Sequence, residues 1–313
     1  MNRLTYLGGL AALCTTATQR ASAADTPVIR VLYEPIDTAT AIFCARDMGF
    51  FNRAGVSVDL QPMNTGSAML AAATSGSVDV VLPNVLSLAE AVEGGLPMQV
   101  ISANVVYTAK TPSTLLLVEN ASPIVTARDF SGKTIGVNVL NGLAWIAARA
   151  WIDGNGGDSK TVRFVEMPFA TMPEVLTAGR IDGAVVAEPA LSIARRDARV
   201  VAPVYSAIAP SFPIDAWVAP ATWVSANRDA SRRFARAMHD ACVWANANHD
   251  RSAEIAAGFT KLDVAAIRGR TRATFAEAHG FDAAQPLLDA GVAYGVLKKP
   301  LRANALVAPG VSI

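Results

Sequence analysis

Short apolar, β-branched runs alternate with helical stretches along most of the chain, and this alternation constrains the fold more than any other feature. The runs at 29–33, 56–60 and 78–82 have the composition of strands, and a segment with helical spacing follows each within a few residues. Strand–helix–strand units with short connections form mainly parallel sheets, because a parallel crossover needs a helix to bring the chain back. The sequence therefore predicts an α/β fold.

The order of elements repeats in a second block of the chain. Residues 69–80 and 176–185 both place a helix, a terminal glycine and an apolar–Asp pair before a strand. Two similar α/β lobes are the simplest explanation of this echo. The alternative is that junctions between a helix and a strand look alike wherever they occur. From 225 to 297 the pattern is mostly helical.

The N-terminal segment has the order of parts found in a secretory signal. Arg3 supplies a positive charge, residues 4–17 are mostly apolar and small, and Ala21-Ser22-Ala23 ends the segment. This order predicts residues 1–23 to be a signal peptide, cleaved after Ala23 as the protein is exported. Cys14 raises the alternative of lipid attachment, which the bulky Leu13 before it disfavours.

Charge and cysteine content narrow the possible partners. Lys and Arg number 27 against 26 Asp and Glu, a formal net charge of +1, so we expect no nucleic acid partner. Cys44 and Cys242 would remain after export, both within apolar helical patterns, and two buried thiols are favoured over one disulfide. The spacing of Cys and His residues matches no metal site, and we expect no metal.

Patterns typical of catalysis are missing. Gly132-Lys133-Thr134 resembles the end of a phosphate-binding loop, but Ala127 stands where the first glycine belongs, and a strand rather than a helix follows. The chain has neither the glycine pattern of dinucleotide-binding folds after a strand nor the G-x-S-x-G of hydrolases. We therefore predict a protein that is not an enzyme and uses no cofactor.

Polar residues and glycines follow the predicted strands at several places. In open α/β sheets, ligands bind at the carboxyl ends of strands, where the amides at helix N-termini point outward. The candidate ligand-binding residues at that edge are Asp37, Thr38, Gly66, Ser67, Asn84, Asn141, Gly142 and Glu188. For Thr38, Ser67, Asn84 and Asn141 the alternative is helix capping.

Two aromatic residues are further candidates. Tyr107 and Trp217 lie where the chain is expected to cross between lobes, and either ring could stack on a planar or cationic ligand. Packing in the core is the alternative for both residues.

A series of motifs runs through both blocks in a fixed order. They are A-x-x-M-G-F-F-x-x-A-G-V-x-V at 45–58, G-S-V-D-V at 76–80, D-F-S-G-K-T-I-G-V at 129–137, L-x-x-G-R-I-D-G-A at 176–184 and Glu188-Pro189. Together they resemble the periplasmic substrate-binding proteins of ABC importers, in the branch that binds nitrate, taurine, aliphatic sulfonates and thiamine-pyrimidine precursors. The resemblance covers about residues 28 to 300.

The resemblance implies a two-lobed, type II periplasmic-binding-protein fold. Its two mixed sheets would be flanked by helices and joined by a hinge of two crossover segments. Lobe I would comprise 24–108 plus 216–313, and lobe II would comprise 109–215. The resemblance also adds Asn138 to the candidate site residues.

The implied function is capture of a solute in the cleft between the lobes, in the periplasm, and its delivery to an ABC permease and its ATPase. No Arg or Lys falls at the candidate loops, and Glu188 favours an amine, hydroxyl or ring N–H. We therefore expect a small polar organic ligand, such as a sulfonate, aminosulfonate, carboxylate or pyrimidine-like compound, over a bare inorganic anion. The alternatives are a ligand-sensing protein for a receptor or kinase and, less favoured, an enzyme like the thiamine-pyrimidine synthases.

Overall fold

The computed structural model describes residues 28–63, 65–277 and 280–310. Its strands are β1 (Val28–Tyr33), β2 (Ser57–Pro62), β3 (Val80–Val81), β4 (Met98–Thr108), β5 (Thr114–Glu119), β6 (Thr134–Val137), β7 (Arg163–Glu166), β8 (Gly183–Ala187), β9 (Ala198–Ala202), β10 (Ser211–Pro220) and β11 (Thr274–Phe275). Its α-helices are α1 (Thr40–Asp47), α2 (Phe50–Ala54), α3 (Gly66–Thr74), α4 (Val85–Glu93), α5 (Leu143–Gly154), α6 (Met172–Thr177), α7 (Ala190–Ala194), α8 (Ala221–Ala226), α9 (Arg228–Ala247), α10 (His249–Thr260), α11 (Val264–Arg268) and α12 (Gln285–Ala293). The predicted signal peptide, residues 1–23, lies outside the described residues.

Six strands form the first sheet, in the order β11-β4-β10-β3-β1-β2. β1 runs parallel to β2 and β3, whereas β10 runs antiparallel to both β3 and β4. The carboxyl ends of β1, β2, β3 and β4 therefore meet at one edge of this sheet. β11 runs antiparallel to β4, with Thr274 opposite Val106, so the chain enters β11 from the same edge.

Five strands form the second sheet, in the order β7-β6-β8-β5-β9. β6 runs parallel to β7 and β8, and β5 runs antiparallel to β8 and β9. Three parallel strands followed by one antiparallel strand thus occur in the same arrangement in both sheets. Two mixed sheets with helices around them confirm the predicted α/β class.

The chain passes between the two sheets twice. It leaves β4 and enters β5 through residues 109–113, and it returns from β9 to β10 through residues 203–210. We call the part built on the first sheet the first lobe and the part built on the second sheet the second lobe. β10 pairs with β4 from Ser211 to Pro220, so residues 211–215 lie with the first lobe.

An equivalent aspartate begins the third parallel strand of each lobe. In the first lobe, Asp79 N–H donates to the Arg30 carbonyl at 2.9 Å, and Asp79 Oδ2 accepts from Arg30 N–H at 2.8 Å. In the second lobe, Asp182 N–H donates to the Thr134 carbonyl at 2.9 Å, and Asp182 Oδ2 accepts from Thr134 N–H at 2.8 Å. The similarity between residues 69–80 and 176–185 in the sequence therefore corresponds to a repeated structural unit.

The apolar core has a continuous part that runs through both lobes. The largest cluster of buried apolar residues extends from Leu32 and Leu86 in the first lobe to Phe130 and Ile146 in the second. Separate clusters cover the outer face of each sheet. Cys44 and Cys242 are both buried and free, the state that the sequence favoured.

The C-terminal third contains a break that the sequence pattern did not predict. Residues 225–297 are mostly helical, but Thr274 and Phe275, after α11, form the strand β11. Thr274 and Phe275 pair with Val106 and Val105 of β4, and β11 is the end strand of the first sheet. The segment before β11 is thereby fixed at the carboxyl edge of the first sheet.

Candidate functional site

The carboxyl edges of the two sheets lie close to each other across the first crossover. Thr108 ends β4 at the carboxyl edge of the first sheet, and Thr114 at the start of β5 pairs with Ala187 at the end of β8. The intervening stretch of chain reaches about 20 Å at most when fully extended. The carboxyl edges of the two sheets, with the loops that follow their parallel strands, therefore lie within about 20 Å of each other at this place.

In the first lobe, Asp37 joins the loop after β1 to the segment before β11. Arg272 Nε donates to both oxygens of Asp37, at 2.8 and 3.1 Å. The Ala273 backbone N–H donates to Oδ2 at 2.7 Å, and Thr40 Oγ1 donates to Oδ1 at 3.2 Å. Since these donors already engage both oxygens, Asp37 acts on the site by holding the arginine segment in place.

Arg270 lies beside this ion pair without a hydrogen-bond partner for two of its nitrogen atoms. Its Nη2 is 3.9 Å from Asp37 Oδ1, and its side chain is 3% exposed. Within the described part of the chain, the buried side-chain nitrogen and oxygen atoms that lack a partner are Arg270 Nε, Arg270 Nη2 and Arg272 Nη1. Burial lowers the pKa of the Arg270 guanidinium, against the opposing effect of Asp37 and Glu188.

In the second lobe, Glu188 follows β8 and is buried, with 6% of its surface exposed. Its carboxylate accepts hydrogen bonds from the Ser192 N–H at 3.2 Å and from Ser192 Oγ at 2.9 Å. Burial raises the pKa of Glu188, whereas Ser192 and the charge of Arg270 lower it. Glu188 on the second lobe and Arg270 on the first are oppositely charged, and each favours the charged form of the other.

Another carboxylate, Asp215, is buried beneath the loop after β1. Its Oδ1 accepts from Asn104 Nδ2 at 3.1 Å and from the Val105 N–H at 2.9 Å. Asn104 Nδ2 also donates to the Thr38 carbonyl at 2.9 Å. Burial raises the pKa of Asp215 to about 7, although these hydrogen bonds act in the opposite direction.

Glu34, directly after β1, is a half-buried carboxylate near the second crossover. Burial raises its pKa to about 7, and the charge of Asp215 adds to that increase. Burial raises the pKa of Tyr205, which lies in the second crossover, and the Glu34 charge adds to that increase. With the described residues, the Glu34 carboxylate forms neither a hydrogen bond nor an ion pair.

The N-termini of α3 and α4 lie next to each other. Asn84 caps α4, because its Oδ1 accepts from the Ser87 N–H at 2.9 Å and its Nδ2 donates to Ser87 Oγ at 3.0 Å. A Cβ atom at Gly66 would lie 3.5 Å from Pro83 Cβ, so α3 begins against the loop before α4. Ser67 is exposed in the first turn of α3. Asn84 therefore caps a helix, which was the alternative to ligand binding for this residue.

The loop between β6 and α5 lies next to the end of β8, since these strands are parallel neighbours. Asn138 is half-buried, and Asn141 is exposed with a left-handed backbone, φ 61°. Gly142 precedes the first turn of α5, and no side chain caps that turn. The loop thus presents backbone amides beside Glu188.

The two aromatic candidates lie inside the protein. Tyr107 is 2% exposed, and its hydroxyl is 2.6 Å from Ser206 Oγ in the second crossover. Trp217 is 0% exposed, packs its ring against Phe234 and donates from Nε1 to Asn104 Oδ1 at 3.2 Å. Neither ring has a free face at the site. Both residues pack in the core, which was the alternative to ligand binding.

The sequence analysis missed the cations of this site. It found no Arg or Lys at the candidate loops, whereas the structure brings Arg270 and Arg272 to Asp37 from the C-terminal third. The break in helical spacing at Gly269, followed by Thr274 and Phe275, was the available signal for a strand at this point.

Surface cavities lie beside the arginine segment and on the outside of the first lobe. One of about 610 Å³ is lined by residues 268–274, Thr111, Glu277, and the adjoining ends of α9 and α10. Another of about 330 Å³ lies between α1 and α10, where Phe43 and Phe259 stack. No group of three or more His, Cys, Asp or Glu residues is placed to hold a metal ion in the ranges that the structure describes.

None of the helices in the described part of the chain combines the length and the apolar character needed to cross a membrane.

Comparison with solved structures places the fold. A ligand-binding component of an ABC-type import system from Staphylococcus aureus, solved with zinc bound, superposes with a TM-score of 0.78 at 13% identity, covering 91% of this chain and 97% of that one. The periplasmic aliphatic sulphonate binding protein SsuA from Escherichia coli superposes with a TM-score of 0.74 at 15% identity, covering 91% of this chain and 93% of that one. The periplasmic nitrate-binding protein NrtA from Synechocystis superposes with a TM-score of 0.65 at 14% identity, covering 77% of this chain and 69% of that one.

Sequence comparison identifies the family. A search of curated proteins finds no significant match. The profile of the family described as NMT1/THI5 like matches residues 37–252, which is more than half of the chain. The predicted resemblance is thereby confirmed: the chain belongs to the NMT1/THI5-like family and has the fold of the periplasmic binding proteins.

Proposed function

We propose that this protein is an extracytoplasmic solute-binding protein. It captures a small organic molecule between its lobes and delivers that molecule to an ABC permease and its ATPase. The observation that carries the proposal is that the carboxyl edges of both sheets, with their polar loops, lie at the short first crossover between Thr108 at the end of β4 and Thr114, which pairs with Ala187 at the end of β8. A ligand that contacts both groups of loops favours the closed arrangement of the lobes.

The groups at this place are suited to binding. The amides that begin α3 and α5, the exposed Ser67 and the half-buried Asn138 offer hydrogen bonds to a polar solute. The buried groups Asp37 and Asp215 already accept hydrogen bonds from protein donors. We therefore assign ligand contact to the loops and a supporting role to these two carboxylates.

Binding without chemical change is part of the proposal. The carboxylates nearest the arginines, Asp37 and Glu188, are engaged by Arg272 and Ser192. General acid–base or nucleophilic catalysis needs a group free to reach the reacting atom. Incubation of the purified protein with each bound compound should therefore return that compound unaltered by mass spectrometry, and turnover by the protein alone would contradict the proposal.

Ligand capture is tested on the purified mature chain. Thermal shift against sulfonates, aminosulfonates, carboxylates and pyrimidines should find compounds that raise the melting temperature, since a ligand at 100 times its Kd stabilises by about 2.7 kcal/mol. If no compound of these classes binds, the proposal that the protein captures this kind of solute is wrong.

Delivery is tested in cells. Deletion of the gene should abolish uptake of the radiolabelled ligand, and the wild-type gene supplied on a plasmid should restore uptake. Normal uptake combined with loss of a transcriptional response to the same ligand would instead assign the protein to a sensor.

A further inference from the structure

The search for unexplained polar groups leads to one segment, residues 270–272. The three partnerless buried atoms, Nε and Nη2 of Arg270 and Nη1 of Arg272, all lie there. All three atoms are buried and have no hydrogen-bond partner among the described residues. Buried polar groups in proteins are nearly always paired, and burying a charged donor without an acceptor is costly.

The surrounding carboxylates do not meet this demand. Asp37 and Glu188 balance the charge of the two guanidinium groups, but neither carboxylate accepts a hydrogen bond from any of the three unpaired nitrogen atoms. Arg272 Nε and Ala273 donate to Asp37 at 2.7 to 3.1 Å, and Ser192 donates to Glu188 at 2.9 and 3.2 Å. The three nitrogen atoms therefore have no acceptor among the described residues.

The arrangement of the unpaired donors suits an oxyanion. Nε and Nη2 of Arg270 lie on the same edge of the guanidinium group, the edge that binds two oxygens of an acid side by side. The groups are neighbours, because Arg270 Nη2 and Arg272 Nε both approach Asp37 Oδ1, at 3.9 and 2.8 Å. Arg272 Nη1 adds a third donor, while Asp37 holds the opposite edge of that guanidinium.

We propose that Arg270 and Arg272 receive an acidic group of the ligand, a carboxylate or a sulfonate carried by a small organic molecule. Arg270 binds two oxygens of the acid through Nε and Nη2, and Arg272 contributes Nη1. This inference rests on the proposed function and specifies the chemistry of its ligand. Because the donors are buried when the lobes are together, the acid enters when they separate and favours their closing.

The first experiment compares acids with their neutral counterparts. Ethane-, butane- and benzenesulfonate, and propanoate, pentanoate and benzoate, are titrated by calorimetry beside the corresponding sulfonamides and carboxamides. We expect binding within at least one acid series and about 100-fold weaker binding of its amides, since hydrogen bonds to charged groups are worth about 1.5–3 kcal/mol each. The two acid series distinguish a carboxylate ligand from a sulfonate ligand.

The second experiment uses Arg270→Met, which keeps an unbranched side chain but removes the donors. We expect acid binding to fall by about 100-fold or more, and Arg270→Lys, which keeps the charge without the paired donors, to lose most of the affinity as well. Arg233→Met is the matched control, because Arg233 is a half-exposed residue of α9 paired with Asp229. Its binding should equal that of the wild type.

A ligand-free measurement tests the role of Arg270 independently. Removing a buried guanidinium whose Nε and Nη2 have no hydrogen-bond acceptor should leave the melting temperature of Arg270→Met equal to or above that of the wild type. A lower melting temperature together with unchanged acid binding would show a purely structural arginine and overturn the proposal.

The remaining outcomes separate this inference from the proposed function. If amides bind as tightly as acids, or if neutral solutes bind and no acid does, the proposal that the two arginines bind an acid is wrong. The proposed capture of a solute is not affected by that result. If no compound of either kind binds, both fail.

Discussion

Replacing Asp37 by asparagine removes the charge that holds the arginine segment. The Asp37 side chain is 5% exposed and accepts three short contacts from Arg272 and Ala273, at 2.7 to 3.1 Å. Removing one partner of a buried ion pair costs about 3–5 kcal/mol, because the other charge stays buried without compensation. At about 2–4 °C per kcal/mol, Asp37→Asn should lower the melting temperature by roughly 6–20 °C.

Urea unfolding followed by tryptophan fluorescence at pH 7 measures this loss of unfolding free energy. Asp229→Asn is the matched control, since Asp229 pairs with Arg233 at 2.7 Å but is 74% exposed. An exposed pair contributes about 0–1 kcal/mol, so the control should stay within that range. A loss below about 1 kcal/mol for Asp37→Asn would refute the conclusion that Asp37 compensates the charge of a buried arginine segment.

Further substitutions and a labelling experiment test burial elsewhere in the chain. Burial raises the pKa of Glu34 from 4.5 to about 7, so its contribution to unfolding free energy is full below pH 4.5 and is lost as pH rises through 7. Glu34→Gln should flatten that decline in urea unfolding measured from pH 4.5 to 8; an unchanged slope would contradict it. Burial raises the pKa of the Cys44 thiol to about 12 and that of Cys242 further, so a thiol reagent at pH 8 should label neither in the folded protein and both in urea. A Cβ at Gly291 would lie 2.9 Å from a leucine methyl group, so Gly291→Ala should cost about 1–3 kcal/mol. Gly258→Ala, with open space in α10, should not destabilise the protein, and equal losses for both would contradict the packing argument.

The parallel units were predictable because they are local. The strand composition, the glycine after each helix and the apolar–Asp pair lie within about a dozen residues of one another, as at Gly76 and Asp79. The structure uses these signals directly, since Asp79 and Asp182 pair with the backbone of Arg30 and Thr134. Sequence patterns report such short-range requirements well.

The cations at the site were not predictable in the same way. Asp37 and Ala273 are 236 positions apart, and the strand that brings them together, β11, is two residues long. A strand of that length has no periodicity, and its place in the sheet depends on a free edge beside β4. Loop residues of the parallel units could be proposed from the chain, whereas their partners from the C-terminal third required the tertiary structure.

The position of Tyr107 connects the core to the motion that the proposed function requires. Its ring centroid lies 5.5 Å from that of Tyr205 and 5.3 Å from that of Phe212, which flank the second crossover. These rings belong to the apolar cluster that runs through both lobes, and the Tyr107 hydroxyl meets Ser206 Oγ at 2.6 Å. Pulling the lobes apart here would expose large aromatic surfaces, which is costly. Under the proposed function, rotation of the lobes about this cluster would keep these surfaces buried, and the buried Tyr107 would serve as part of the hinge.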